Sequence, residues 1–205
     1  MSPDELDPRP ASLADALLRA DCIRFGEFTL KSGLVSPIYI DLRRIIGYPR
    51  LLQQVGHAYL APLKMLKFDR LAALPYAAIP IATAIALEGG YPLIYPRKEA
   101  KVYGTRAEVE GEYHAGETAA VVDDLATTGE SKFEAIAKLT SAGLSVMDVV
   151  VLIDRQSGAR ESLAREGYNL HAILTLDEML DHWEQAQSVE RARIAATREF
   201  LARTR

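Results

Sequence analysis

VVDDLATTGES, residues 121–131, joins an apolar run to an amphipathic one, and its reading decides the fold. Upstream, ETAAVVDD (117–124) is short, apolar and ends in two carboxylates. That reads as a buried strand delivering Asp123 and Asp124 to its C-terminal end. Downstream, ESKFEAIAKLTSAG (130–143) sets Phe133, Ile136, Ala137 and Thr140 at helical spacing, with Gly143 as the stop. Strand, tight turn and helix in that order make a βα unit, and in open α/β sheets ligands bind at the carboxyl ends of strands.

The pattern repeats outward. LAALPYAAIPIATAIAL (71–87) reads as a buried strand, a tight turn and a helix of small residues, and YPLIYPRK (91–98) as a second strand. SVMDVVVLID (145–154) is a fourth, after 117–124. Continuous apolar strands alternating with helices predict a parallel sheet covered on both faces, with right-handed crossovers. Nearer the N-terminus, residues 12–22 read as a helix capped by Ser12, with Leu13, Ala14, Leu17 and Leu18 on one face. Residues 25–45 are β-prone, with Ser36-Pro37 as a turn, and 49–64 read as a helix opened by Pro49. Residues 1–10 read as disordered. The chain turns helical again after Asp177, and 188–203 form a polar, Arg-rich tail.

Composition limits the function classes. The 205 residues are 49% hydrophobic and carry a net charge of −4, so nothing in the total suggests a nucleic-acid binder. No apolar run reaches the ~20 residues a membrane helix needs. MSPDELDPRP lacks the apolar core of a signal peptide. The lone Cys22 excludes an intrachain disulfide, reads as a small semi-buried residue and fits a reducing compartment. The histidines, at 57, 114, 171 and 182, have no metal-ligand spacing.

The turn suits one ligand chemistry. Gly129 permits close backbone approach, successive N–H groups and a helix N-terminus attract an anion, and Thr127, Thr128 and Ser131 add hydroxyl donors. A phosphate monoester fits there. Carboxylates repel phosphate but suit vicinal hydroxyls or a Mg²⁺ ion. Phosphate beside a diol describes a ribose 5-phosphate. A bare βα turn whose polar residues only cap the helix is the alternative. No Walker GxxxxGK[ST] is present.

This segment resembles the phosphoribosyl pyrophosphate (PRPP) signature of the type I phosphoribosyltransferases. The resemblance implies an α/β fold of that type: a central, mostly parallel sheet with helices on both faces and a small N-terminal hood. It implies that Asp123 and Asp124 hold the ribose hydroxyls, and that Leu125, Ala126, Thr127, Thr128, Gly129, Glu130 and Ser131 form the 5-phosphate loop.

Three further segments resemble the orotate phosphoribosyltransferases. RKEAKVYG (97–104) gathers three cations, which a pyrophosphate needs; alone, it would read as a solvated hairpin. By resemblance Arg97, Lys98, Lys101 and Tyr103 contact PRPP, and Lys101 rides a lid shared across a homodimer. LKSGLVSPIYID (30–41) matches the hood, placing Lys31, Tyr39 and Ile40 at the orotate ring, with Thr127 beside it. DRQSGA (154–159) places Arg155 on the orotate carboxylate, a group that uracil lacks. The implied activity is Mg²⁺-dependent transfer of phosphoribose from PRPP to orotate in pyrimidine biosynthesis, with Lys101, Asp123 and Asp124 catalytic. A cytoplasmic place, a homodimer with shared sites, and no nucleic-acid or membrane partner go with it.

The matches run in order over about residues 25–180 and look most like the N-terminal half of bifunctional UMP synthases, without residues for the decarboxylase barrel. Val102 stands where the family has Asp, Ala77 where many members carry Lys, and Ala73 where Gly is common. Residues 1–183 are expected to be the transferase domain and 184–205 a helical tail. Rival readings are a transferase for another base, a PRPP-sensing regulator that binds DNA or RNA through the tail, and a dead-site subunit of a pathway complex.

Overall fold

The computed structural model describes residues 9–29, 33–98 and 108–204. The first described element is helix α1, Pro10–Arg19, which buries Leu13, Ala14 and Leu17. Its start lies two residues before the expected Ser12. Pro10 occupies the first turn, where a missing N–H costs nothing, and Ser12 lies inside the helix, its hydroxyl 3.4 Å from the Gln54 amide nitrogen. The helix also ends earlier than expected, and Cys22 is fully buried just before the next strand.

Strands β1, Ile23–Thr29, and β2, Val35–Ile40, pair antiparallel as a separate hairpin. Ser36-Pro37 is not the turn expected there. Phe25 faces Ile38 and Phe28 faces Ser36, so Gly26 and Glu27 oppose Pro37 alone, a bulge. Proline has no N–H for the ladder and is tolerated at such an irregularity. A short 3₁₀ segment, Leu42–Gly47, leads to helix α2, Pro49–Leu63, with Pro49 in its first turn as expected.

The central sheet follows. Its strands are β3, Arg70–Ala73; β4, Leu93–Pro96; β5, Val109–Glu110; β6, Thr118–Ala126; β7, Ser145–Asp154; and β8, Asn169–Thr175. Among the described residues the order is β5-β4-β3-β6-β7-β8, parallel except for the β4–β5 pair. The intervening helices are α3, Ala78–Gly89; α4, Glu130–Ser141; and α5, Ala159–Arg165. Helices α6, Leu176–Gln185, and α7, Arg191–Thr204, close the chain. Thr175 and Glu178 form a reciprocal cap on α6.

Both faces of the sheet are apolar because successive strand residues point to opposite sides. Ala120, Val122, Val150 and Leu152 pack with Val55, Tyr59, Ile81, Ile85 and Trp183 from α2, α3 and α6. Ala119, Val121, Val149 and Val151 pack with Ala135, Ile136, Leu139 and Leu163 from α4 and α5. Of the expected Phe133, Ile136, Ala137 and Thr140 on α4, Ile136 is buried and Phe133 packs partly buried against the same core, whereas Ala137 and Thr140 face solvent and Lys132, Ala135 and Leu139 complete the buried stripe. The chain leaves β3 toward one sheet edge and later returns beside β3 to form β6. The β3–β6 junction is therefore the switch point, where such sheets open a crevice.

Candidate active site

Asp123 and Asp124 lie on β6 at that junction, one step past Val122, which faces Ala73 of β3. Asp123 is 7% exposed, and Lys132 of α4 reaches it with Nζ 2.5 Å from Oδ2. The same ammonium donates to the carbonyl of Leu125 at 2.5 Å. Tyr59, fully buried on α2, donates its hydroxyl to the carbonyl of Asp123 at 2.8 Å. The Asp124 N–H donates to the Asp123 carboxylate at 2.9 Å. The strand end is thus fixed from both faces. Burial, with the Asp123 carboxylate beside it, pushes Asp124 up to about 7. Burial also raises the Tyr59 phenol well above its ordinary value, and the two acids add to the effect.

Thr127 to Gly129 form the turn between β6 and α4. Gly129 has φ +95°, a left-handed conformation that glycine adopts without strain, and it precedes the first turn of α4. Ala126 and Gly129 are buried, Thr127 is half-buried, and Thr128, Glu130 and Ser131 are exposed. Arg155, after β7, joins this turn through its N–H to the Ala126 carbonyl at 2.9 Å. Its half-buried guanidinium lies over the ring of Phe200 at 5.7 Å, and desolvation lowers its pKa.

On the other side of the switch point, Arg97 and Lys98 follow β4. Arg97 pairs with Glu110 of β5, and Lys98 lies over the Tyr76 ring at 5.5 Å. Lys138 of α4 donates to the carbonyls of Arg97 at 2.7 Å and Lys98 at 3.1 Å. These cations border a cleft of about 220 Å³ lined also by Pro75, Tyr76, Ile79 and Tyr95. Ala77, where a family lysine is common, stands next to Tyr76 at the start of α3. β4 and β6 flank β3, and strands sit ~4.8 Å apart, so the end of β4 before Arg97 lies about two spacings from the end of β6 that carries Asp123.

In the hood, Tyr39 meets Phe28 with ring centroids 5.3 Å apart, and Arg24 covers both rings. Ile40 packs against the main core. As adjacent residues of β2, Tyr39 and Ile40 turn their side chains to opposite sides of the hairpin. Lys31, Lys101, Val102 and Tyr103 lie outside the described residues.

Sequence reasoning passed over Lys132, Tyr59, Glu110, Lys138 and Phe200. Lys132 had a signal: a lysine three and four residues before buried Ala135 and Ile136 sits on the apolar face and needs an acidic partner. No such signal marked Tyr59 or Glu110, whose roles depend on tertiary pairing.

No family model matches the chain. It is 43% identical over 98% of its length to the bifunctional enzyme PyrF/PyrE of Nostoc, covering 42% of that protein. Over 80% of its length it is 42% identical to the orotate phosphoribosyltransferase of Caenorhabditis elegans, covering 74% of it. The chain belongs to the orotate phosphoribosyltransferase family. Among solved structures of that family's kind, Leishmania donovani UMP synthase superposes with TM-score 0.87 and 48% identity, over 94% of this chain and 42% of that one. A Mycobacterium tuberculosis orotate phosphoribosyltransferase in complex with PRPP superposes at 0.70, with 28% identity over 83% of this chain and 98% of that one. The chain spans about two fifths of the bifunctional relatives it matches.

No group of three or more His, Cys, Asp or Glu capable of holding a metal occurs among the described residues. Asp123 and Asp124 still fit Mg²⁺, which takes one or two carboxylates and fills its octahedron with water and substrate phosphates. No described helix is long and apolar enough to cross a membrane.

Proposed function

We propose that the chain transfers the 5-phosphoribosyl group of PRPP to orotate, giving orotidine 5′-monophosphate and pyrophosphate. The observation that carries this reading is the acid pair at the end of β6 and the phosphate-type turn after it, beside the β3–β6 switch point, with cations just past β4 and a half-buried arginine just past β7 along the same edge.

The order of groups matches the parts of the substrates. Arg97, Lys98 and Lys101 take the pyrophosphate, Asp123 and Asp124 the ribose hydroxyls, and residues 125–131 the 5-phosphate. Arg155 takes the carboxylate that separates orotate from uracil, with Lys31, Tyr39, Ile40 and Thr127 around the ring. Asp123 and Asp124 would hold Mg²⁺, which would supply neutralisation of charge on the leaving group. Orotate nitrogen bonds to C1 of the ribose as the C1–oxygen bond to pyrophosphate breaks, with inversion and an oxocarbenium-like transition state. No covalent protein nucleophile is required; the side chains position and stabilise charge. Lys101 reaches the leaving pyrophosphate on closure, which also excludes water. A homodimer with shared sites and a cytoplasmic location belong to the same reading, and the single, buried Cys22 suits it.

The test follows orotate absorbance with purified protein. Loss that requires both PRPP and Mg²⁺ is expected. Turnover of adenine, xanthine or uracil with orotate untouched would replace the base; no PRPP-dependent reaction with any base would end the proposal.

A further inference from the structure

The Arg-rich C-terminal segment is built into the fold. Helix α7 buries Ile194, Thr197, Phe200 and Leu201 on one side, although most of its other residues are polar. It packs against β2 of the hood. Arg198 ties it to α6 through Asp181 at 2.6 Å and Glu184 at 3.0 Å, and Arg193 donates to the Phe25 carbonyl at 3.5 Å.

Phe200 is 5% exposed and carries the guanidinium of Arg155 on its face. Among the described residues Arg155 has no carboxylate partner. Its backbone is pinned by the Ala126 carbonyl, and its neighbour Gln156 accepts from the Asp177 N–H at 2.9 Å. The side chain beyond has four flexible torsions. A ring face fixes the far end of such a chain without using its N–H groups, because a guanidinium lying flat on a π face keeps its N–H edge free for a bidentate contact. A carboxylate in that place would consume the same edge.

We propose that Phe200 is a positioning residue of the base site, holding Arg155 so that its N–H edge meets an anionic, planar base, and that α7 is therefore part of that site. This rests on the orotate reading above and extends it to a segment that matched no motif.

Steady-state kinetics of Phe200→Leu test it. The KM for orotate should rise about three- to tenfold, the range of a partly desolvated cation–π contact. The KM for PRPP should stay within twofold, and Phe200→Tyr should behave as wild type. In an Arg155→Gln background, Phe200→Leu should add no further rise. If the Leu variant does not fold, Phe200→Met, which keeps the bulk and loses the ring, gives the same reading. An unchanged orotate KM in a folded variant overturns the proposal, as does an equal rise in the Arg155→Gln background or a parallel rise for PRPP. A wild-type protein that consumes no orotate would instead refute the parent reading.

Discussion

The ends of β6 and β4 share one edge of the sheet and are built in opposite ways. At β6 the acids are held from both faces: Lys132 pairs with Asp123, and Tyr59 binds its carbonyl. At β4 the cations are a third or more exposed or lie at the cleft, with Arg97 engaged by Glu110 and Lys98 resting on Tyr76. A buried ion pair resists loss of either partner, whereas an exposed one contributes little and exchanges readily. The comparison teaches a division of labour. Under the proposed function, the sugar end of the site is assembled by folding, and the pyrophosphate end must trade internal partners for the ligand.

The largest expected effect tests the rigid side. Lys132→Met should cost about 3 kcal/mol of stability in urea unfolding, since it leaves Asp123 buried without its cation. Adding Asp123→Asn should recover most of it. A loss under about 1 kcal/mol would remove the contrast between the two ends.

Asp124 sharpens the same side. Its carboxyl is raised from 3.8 to about 7 in the fold. The protonated form is thus favoured, and its contribution to stability is full below pH 3.8 and lost as pH rises through about 7. Asp124→Asn, without added metal, should therefore be more stable than wild type by about 2 kcal/mol at pH 8, with the gap closing toward pH 4. Melting curves across that range check it, and a gap that widens toward acid would reverse the sign.

On the exchangeable side, Lys101→Ala should lower kcat at least about tenfold, ~1.4 kcal/mol of barrier, with orotate affinity nearly unchanged. Mixed with a variant lacking Asp123, it should regain activity if sites are shared between subunits. Smallest is Glu110→Gln. Releasing Arg97 should lower the KM for PRPP about twofold, within the range of an exposed pair. A rise would mean that Glu110 positions Arg97 for the ligand.

The sheet and its ligand edge were legible because β3, β6 and β7 are continuous apolar runs followed by turn residues. Strand β8 was not read: Asn169 and His171 interrupt it, and both are satisfied by Asp148 of β7, at 3.1 and 2.8 Å. Helix α5 is only seven residues long, too short for a periodic signal. In the site, the acids and the turn carry their chemistry in sequence. Lys132 was visible as a charge on an apolar stripe, but two members of that stripe, Ala137 and Thr140, were assigned to the wrong face. Phe200 lies outside every motif and touches Arg155 only through tertiary packing, although Ile194, Thr197 and Leu201 at helical spacing marked a buried face within the Arg-rich tail.

Calorimetric titration of PRPP with Mg²⁺ into wild type and into Asp123→Asn tests most directly whether the β6 turn grips a sugar phosphate. Saturable heat for wild type, and binding at least about 30-fold weaker for the variant, ~2 kcal/mol, is the expected result. Equal affinity in the two proteins, or no heat in either, would contradict it.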